Sequence, residues 1–281
     1  MAGTLFLCAT PIGNLGDMTP RVTETLRAVD LIAAEDTRNS LKLLNHFDIH
    51  TAMTSYHEYN KVEKAGQLVE RMLGGQNVAL ITDAGTPAIS DPGEVLVSMC
   101  HENGIPVTSL PGAAACITAL TLSGLPTRRF CFEGFLPADK KERRQVLEEL
   151  SGESRTIILY EAPHRLTRTL EELYETLGQR RITVCRELTK KFETILPTTL
   201  REAVEHYREE EPRGEFVLVL EGKSFAEKRQ EEIDSWRELD IGQHMELYIG
   251  QGMDEKTAMK QVARDRGVSK REIYALLHGN N

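Results

Sequence analysis

Three stretches of small and polar residues each follow a strand-like run and lead into a helix-like one, the place where open α/β sheets hold their ligands. The first, Ala9-Thr10-Pro11-Ile12-Gly13-Asn14-Leu15-Gly16, has neither the GxGxxG spacing of a dinucleotide fold nor the lysine of a triphosphate loop, so both ligands lose ground. By itself it reads equally as a tight turn whose glycines are steric necessities. The second, Thr82-Asp83-Ala84-Gly85-Thr86-Pro87-Ala88-Ile89-Ser90-Asp91-Pro92-Gly93, is longer than the roughly 2 to 6 residues that a βα connection needs. Its small side chains let the backbone approach a ligand, and amides at the start of the next helix can receive a carboxylate such as an amino-acid tail. The third, Pro111-Gly112-Ala113-Ala114-Ala115, repeats the pattern with alanines that leave room for a bulky group. Loops of this kind at successive strand ends predict one site for a small ligand.

Such loops need a sheet to hold them. Residues 5–9, 31–34, 78–82 and 106–109 are short β-like runs separated by amphipathic stripes, so the first 124 residues predict a mostly parallel sheet covered on both faces. Thr19-Pro20 starts a helix carrying Val22, Leu26 and Val29, and a second stripe from Val62 to Leu73 is closed by Gly74-Gly75. Asp91-Pro92 opens a third helix that Gly104 closes. The segment Gly124-Leu125-Pro126-Thr127-Arg128-Arg129 breaks the pattern and marks a domain boundary. A second α/β domain is expected over residues 125–222, with strands at 130–135, 156–160, 182–185 and 216–220 and helices at 139–150, 163–177 and 199–208. An arm at residues 192–196 is placed to form an antiparallel hairpin. Residues 223–281 make a third part. Its start is a charged linker or solvated helix, followed by a helix at 257–266 that Gly267 ends and a helix behind the capping box Ser269-Lys270-Arg271-Glu272. That pair resembles a helix-turn-helix, and reads either as a nucleic-acid contact or as a packing or dimerisation element.

A chain of 281 residues can bury a sizeable core, and its net charge of -9 argues against coating nucleic acid by bulk positive charge. Any RNA partner must be met by local basic patches. Cys8, Cys100, Cys116, Cys131 and Cys185 are odd in number and show no CxxC spacing, so they read as reduced core residues; neither a disulfide framework nor a metal site is expected. The most apolar stretch, residues 113–125, is interrupted by Thr118, Thr121 and Ser123 and falls short of the ~20 residues of a membrane span. Met1 runs into Leu5-Phe6-Leu7 without the basic and long apolar regions of a signal peptide. A soluble, cytoplasmic protein with no membrane partner is expected.

Four motifs carry a resemblance. Pro11-Ile12-Gly13-Asn14-Leu15, Glu35-Asp36-Thr37-Arg38, the Thr82-Asp83-Ala84-Gly85-Thr86-Pro87 run with Ser90-Asp91-Pro92-Gly93, and Tyr160-Glu161-Ala162-Pro163-His164-Arg165 together resemble the ribosomal RNA small-subunit methyltransferase I family over nearly the whole chain. The implied fold is that of the tetrapyrrole methylases: two α/β domains with a cleft for S-adenosylmethionine between them, here followed by a small C-terminal helical element. The implied reaction is methylation of a cytidine ribose 2′-oxygen in the decoding region of small-subunit rRNA, with the rRNA or the assembled small subunit as partner and a homodimer as the assembly. Carried onto this sequence, Asp83, Gly85, Thr86, Pro87, Ser90, Ala113, Ala114 and Ala115 would line the donor's methionine and ribose portions, with Pro11 beside them. Tyr160, Glu215 and Phe216 would close over the remainder, although Tyr160 also reads as a core residue and Glu215 as a surface charge.

An unassisted alcohol is a poor nucleophile, so a base or orienting group has a role to play. Glu35, Asp36, Glu161, His164, Glu187 and Lys190 are the candidates. Glu35 ranks first because it follows a buried-looking strand, with Arg38 one helical step on as a phosphate or carboxylate partner; a purely structural Glu35–Arg38 ion pair is the equal alternative. Glu161 completes the candidate catalytic set, and His164, just inside a helix start, reads as a cap or an RNA contact. For RNA the expected contacts are Arg128, Arg129, Arg165, Arg186, Lys190, Lys191, Lys270 and Arg271, all beyond the first domain. The run Lys140-Lys141 with Arg143-Arg144 is equally a solvated helix face. Two rival readings remain: a tetrapyrrole C-methyltransferase using the same cleft, and a non-catalytic ligand sensor that binds DNA through its tail.

Overall fold

The computed structural model describes residues 1–278. Met1–Glu221 forms one compact unit, and the chain from Gly222 onward forms a second. The first unit begins as an alternation of strands and helices: β1 (Leu5–Cys8), α1 (Pro20–Ala28), β2 (Leu31–Ala34), α2 (Thr37–His46), β3 (Met53–Ser55), α3 (Lys61–Leu73), β4 (Val78–Ile81), α4 (Gly93–Glu102), β5 (Val107–Leu110) and α5 (Ala115–Leu122). The strands lie in the order β3-β2-β4-β1-β5, all parallel. Every residue of β2 and β4 is buried because helices cover both faces. Leu5, Leu7, Ala33 and Leu80 pack with α3 and α4, while Cys8, Ile32, Ala79 and Ile81 pack with α1 and α2. In parallel strands buried on both sides, alternation gives way to continuous apolar runs.

Three elements here, β3, α2 and α5, are additional to the spans expected from the sequence. The edge strand β3 is three half-buried residues, and α2 offers the core only Ser40 and Leu44, so neither leaves a strong periodic signature. The start of α4 also differs: Pro92 sits just before the helix, and the Asp91 carboxylate accepts from the N–H groups of Ile89 (3.0 Å) and Gly93 (2.7 Å).

The second half of this unit contains β6 (Phe130–Phe135), α6 (Lys140–Ser151), β7 (Thr156–Glu161), α7 (Pro163–Leu177), β8 (Arg181–Arg186), β9 (Thr194–Thr199), α8 (Leu200–Glu209) and β10 (Phe216–Leu220). The sheet order is β6-β7-β10-β8-β9; β6 and β7 are parallel, and every other pair is antiparallel, including the anticipated β8–β9 hairpin. Here a period of two decides what faces what. Ile157, Leu159, Phe216, Leu218 and Leu220 point into a core with α6, α7 and α8, where Leu166, Leu170 and Leu173 are wholly buried. Each such leucine contributes about 1.5–3 kcal/mol of hydrophobic stabilisation. The alternate residues Ile158, Tyr160, Val217 and Val219 face the other way, against α5. This helix therefore belongs by sequence to the first sheet and packs on the second.

Cys8, Cys100, Cys116 and Cys185 are buried, Cys131 is half-buried, and all five are free. Burial pushes the Cys8 and Cys185 thiols up to about 12, which leaves them unreactive packing groups.

The tail unit comprises α9 (Phe225–Glu238), α10 (Ile241–Gly250), α11 (Glu255–Arg266) and α12 (Lys270–His278). Reciprocal Ser224–Glu227 bonds cap α9, so the charged stretch is a helix. Gly267 ends α11 in the left-handed conformation (φ 66°), and Ser269 and Glu272 form the expected box before α12. The core of this unit is Met245, Tyr248, Ala258, Met259, Val262, Ala263 and Ile273. Helix α10, which supplies two of these, was not among the expected elements.

Candidate active site

A cavity of about 550 Å³ opens in the first unit where strand-end loops of the parallel sheet meet the α5 face of the second sheet. Ile12 comes from the first loop, Ala84, Gly85, Thr86 and Ile89 from the second, and Ala114, Ala115 and Cys116 from the start of α5. The second sheet supplies Phe135, Tyr160, Glu161, Glu215, Phe216 and Val217, with Ala162, Pro163 and His164 at the head of α7 and Leu188 after β8. The three loops are stitched together by their own backbones. Thr10 and Gly85 exchange N–H to carbonyl bonds of 2.9 and 3.0 Å, and the Thr86 hydroxyl donates to the Ala113 carbonyl at 2.9 Å. Gly85 has φ +85°, a conformation that strains any other residue, and a Cβ there would sit tightly at 3.3 Å from Ile12 Cγ2.

Tyr160 joins the two halves. Its hydroxyl accepts from the Cys116 N–H at 3.2 Å, and Phe132 and Phe135 meet its ring edge-on at centroid distances of 4.9 and 5.6 Å. Burial pushes this hydroxyl well above its ordinary pKa, so it stays protonated. The N-cap residue of α5, Ala114, offers no capping side chain, and Tyr160 holds the Cys116 amide instead.

Of the residues expected at a cofactor, Gly85, Thr86, Ala114, Ala115, Tyr160, Glu215 and Phe216 line this cavity, whereas Pro11, Asp83, Pro87, Ser90 and Ala113 stand next to lining residues without lining it themselves. The reasons are local. Ala113 presents its carbonyl to Thr86, the Asp83 carboxylate accepts from the Asp36 N–H at 3.3 Å, and Ser90 Oγ fills the space that a Cβ on Gly134 would need. Ile12, Phe135, Leu188 and Val217 are wall residues that sequence reasoning missed. The alternation along β10 carried a usable signal for Val217, since it shares a sheet face with Tyr160.

The three candidate catalytic residues are not brought together. Glu161 lines the cavity, with its carboxylate already engaged by the Ala162 N–H (2.9 Å), the Thr169 hydroxyl (2.5 Å) and the Arg165 guanidinium (3.4 Å). Behind Thr169, buried Arg143 donates to its hydroxyl at 2.7 Å and pairs with Glu172, which also pairs with Arg168. Arg143 is thus a core tether, not part of a solvated face. Glu35 does not line the cavity. Its carboxyl is raised by burial, with a hydrogen bond from the Asp83 backbone opposing and the charges of Asp83, Asp91 and Asp36 reinforcing the shift. The Glu35–Arg38 ion pair considered from the sequence does not form: Arg38 pairs with Asp36 at 3.0 Å and is 87% exposed.

This architecture has known counterparts. Residues 4–204 match the sequence profile of the Tetrapyrrole (Corrin/Porphyrin) Methylases. The chain belongs to that family. Within it, the chain is 52% identical over 276 residues to the ribosomal RNA small subunit methyltransferase I of Halalkalibacterium halodurans, covering 98% of this chain and 95% of that protein. It is 48% identical over 275 residues to the protein of the same name from Synechocystis, covering 98% and 97%. It is therefore a member of the ribosomal RNA small subunit methyltransferase I group, as its motifs suggested. Among solved structures, diphthine synthase aligns with a TM-score of 0.61 at 14% identity, covering 79% of this chain and 91% of that one. The uroporphyrin-III C-methyl transferase from Thermus thermophilus complexed with S-adenyl homocysteine aligns at 0.53 and 20%, covering 78% and 97%. These two likenesses speak for the fold: the α/β tetrapyrrole-methylase architecture with two sheets and C-terminal helices is the one expected.

In this methyltransferase the expected RNA contacts separate into free and occupied groups. Arg128 and Arg129 are exposed before β6, and Lys191 is exposed with its ammonium 5.4 Å from the Phe192 ring centroid. Arg165 turns inward to Glu161 and to the Leu136 carbonyl (2.7 Å), and Arg186 donates to the Arg213 carbonyl (2.6 Å). Lys190 is a clasp: its ammonium bonds Glu187 at 2.9 Å and Glu215 at 2.8 Å, fixing a loop in which Glu187 and Thr189 have positive φ. Burial pulls the Lys190 pKa down, yet those two bonds outweigh it and hold it above the ordinary value. Lys270 and Arg271 are exposed in the first turn of α12, in the tail unit. Among the described residues no helix is long and apolar enough to cross a membrane, and no cluster of ligating side chains is placed to hold a metal ion.

Proposed function

We propose that this chain is an S-adenosylmethionine-dependent methyltransferase that methylates a cytidine ribose 2′-oxygen in small-subunit rRNA, as a cytoplasmic homodimer acting on the rRNA or the assembled subunit. The observation that carries the donor site is the cavity itself. Its volume of about 550 Å³ lies within the ~300–1,000 Å³ of small-molecule sites. The apolar wall of Ile12, Leu188, Phe216 and Val217 suits a nucleobase, and backbone amides at the start of α5 suit a carboxylate. Glu215, 78% exposed at the rim, can accept from ribose hydroxyls. The donor supplies an already activated methyl group, so positioning is the chain's main task.

The chain's own residues divide that task. Tyr160 and Gly85 lock the loops into one wall. Glu161 is a positioning residue, because its bonds to Ala162 and Arg165 set the head of α7 and with it His164. Glu35 accepts from the Asp83 backbone, next to lining residue Ala84, and its raised carboxyl is a stronger proton acceptor than an ordinary carboxylate for the ribose hydroxyl. Arg38, held by Asp36 and open to solvent, is available to contact a phosphate of the RNA strand. A ribose-methylation map of rRNA from cells lacking this protein tests the reading. Loss of one 2′-O-methylcytidine from the small-subunit RNA is expected, and an unchanged map would overturn the assigned substrate.

A further inference from the structure

The tail unit holds a second concavity, of about 800 Å³, that methyl transfer leaves unused. Trp236 of α9 lines it, together with Lys228 and Arg229 of the same helix, Leu247 of α10, and Gln261 and Arg264 of α11. Trp236 is the single tryptophan of the chain. One face of its indole stacks on His244, with 5.3 Å between ring centroids and 21° between planes. His244 is wholly buried, and its Nδ1 accepts from Arg266 Nε at 3.1 Å. Arg266 also donates to the carbonyls of Trp236 (2.9 Å) and Leu239 (2.6 Å), so the indole is fixed from behind.

The charge of the groove is equally specific. Its acid, Asp265, receives the Tyr248 hydroxyl at 2.5 Å and the Gln261 amide at 2.9 Å. Arg229 and Arg264 are exposed and Lys228 is half-buried, and none of the three enters an ion pair among the described residues. In a chain of net charge -9, three unpaired cations around a fixed aromatic ring form a local field for anions. A plane for stacking, a nearby amide from Gln251 and cations for phosphate are the groups by which proteins hold single-stranded RNA.

We propose that this groove binds single-stranded RNA, with one base stacked against Trp236 and the flanking phosphates on Lys228, Arg229 and Arg264. The proposal rests on the reading that the substrate is rRNA and adds a second RNA contact, in a different unit from the methyl-transfer cavity. It is also distinct from Lys270 and Arg271, which do not line the groove.

Titrating the full chain with an oligouridylate of roughly 10 nucleotides, within the ~4–16-nucleotide span of single-strand sites, tests it through the fluorescence of the single tryptophan. Saturable quenching is expected. The double charge reversal R229E/R264E alters only exposed side chains and should weaken binding more than tenfold. It should also reduce the slope of log K against log salt by about 1.4, the share of two phosphate contacts on a single strand. The R21E/K42E variant, which makes the same charge change at exposed residues of α1 and α2 in the first unit, should quench like the parent. Absence of quenching, or quenching that R229E/R264E leaves unchanged, overturns the proposal. Methyl transfer to small subunits by a chain whose tryptophan ignores RNA would sink the groove and leave the enzymatic reading standing; quenching without any transfer to rRNA would do the reverse.

Discussion

Replacing Thr169 by valine tests how the wall of the cavity is held in place. Thr169 is wholly buried, and its hydroxyl donates to Glu161 Oε2 at 2.5 Å while accepting from Arg143 Nη2 at 2.7 Å. Valine has nearly the same volume, so no void opens and the whole effect is polar. Glu161 keeps the Ala162 N–H and Arg165, and Arg143 keeps Glu172, but each loses one partner inside the protein. Leaving a buried donor or acceptor unsatisfied costs about 1–3 kcal/mol, which puts the double loss at roughly 2–6 kcal/mol. In a unit of this size 1 kcal/mol moves Tm by about 2–4 °C, so the melting temperature should fall by roughly 4–24 °C. Serine restores the hydroxyl and removes one methyl group, a loss of about 1 kcal/mol. Thermal and urea unfolding of the Thr169→Val and Thr169→Ser chains, read by far-UV circular dichroism, supply the comparison. A valine variant as stable as the parent, or a serine variant no better than valine, would refute the tether from Arg143 through Thr169 to Glu161.

Three further outcomes follow from the site. The Glu35 carboxyl is raised above its ordinary value, chiefly by burial. The folded chain therefore holds that proton to higher pH than the unfolded one, and this contribution to stability, full at low pH, is lost as pH rises through the raised value. Glu35→Gln should accordingly melt above the parent near neutral pH and match it at about pH 4. It should also lose methyl transfer by roughly 100-fold if Glu35 takes the ribose proton; retained activity would dismiss it as the base. Gly85→Ala places a side chain at φ +85° against Ile12, which should cost about 1–3 kcal/mol. Isothermal titration with S-adenosylmethionine should show weakened binding, and unchanged affinity would count against this loop as a wall of the donor site. Lys190→Met frees Glu215 from its clasp. Because such partly exposed pairs contribute about 0–1 kcal/mol, Tm should barely move while donor KM rises severalfold, and a fall in kcat alone would contradict the assignment of Glu215 to donor binding.

Much of this architecture is legible from residue patterns, and the exceptions have physical causes. Strands β2, β6 and β10 and helix α7 occupy their expected spans because strong local signals bound them: Pro163 opens α7, and Gly178, at φ 71°, closes it. Strand β3 escaped because three half-buried edge residues hold no period, and α10 because its apolar residues serve a small core shared with α11 and α12. At the site, the glycine- and alanine-rich loops announced a ligand, but which of their residues face it depends on contacts distant in sequence. Ser90 turns to Gly134, and Asp83 to Asp36, while Leu188 enters from the second sheet. Basic residues were the least legible, since a count of arginines does not distinguish Arg128, which is exposed, from Arg165, which is committed to Glu161.

The central claim, a cavity that places a methyl donor beside an rRNA ribose, is tested most directly by competition in one reaction. Purified protein would be given methyl-labelled S-adenosylmethionine, small ribosomal subunits from cells lacking the modification, and a tetrapyrrole acceptor. Label is expected in the small-subunit RNA, confined to one cytidine and recovered as an alkali-resistant ribose methyl group. Label on the tetrapyrrole with none in the RNA would contradict it.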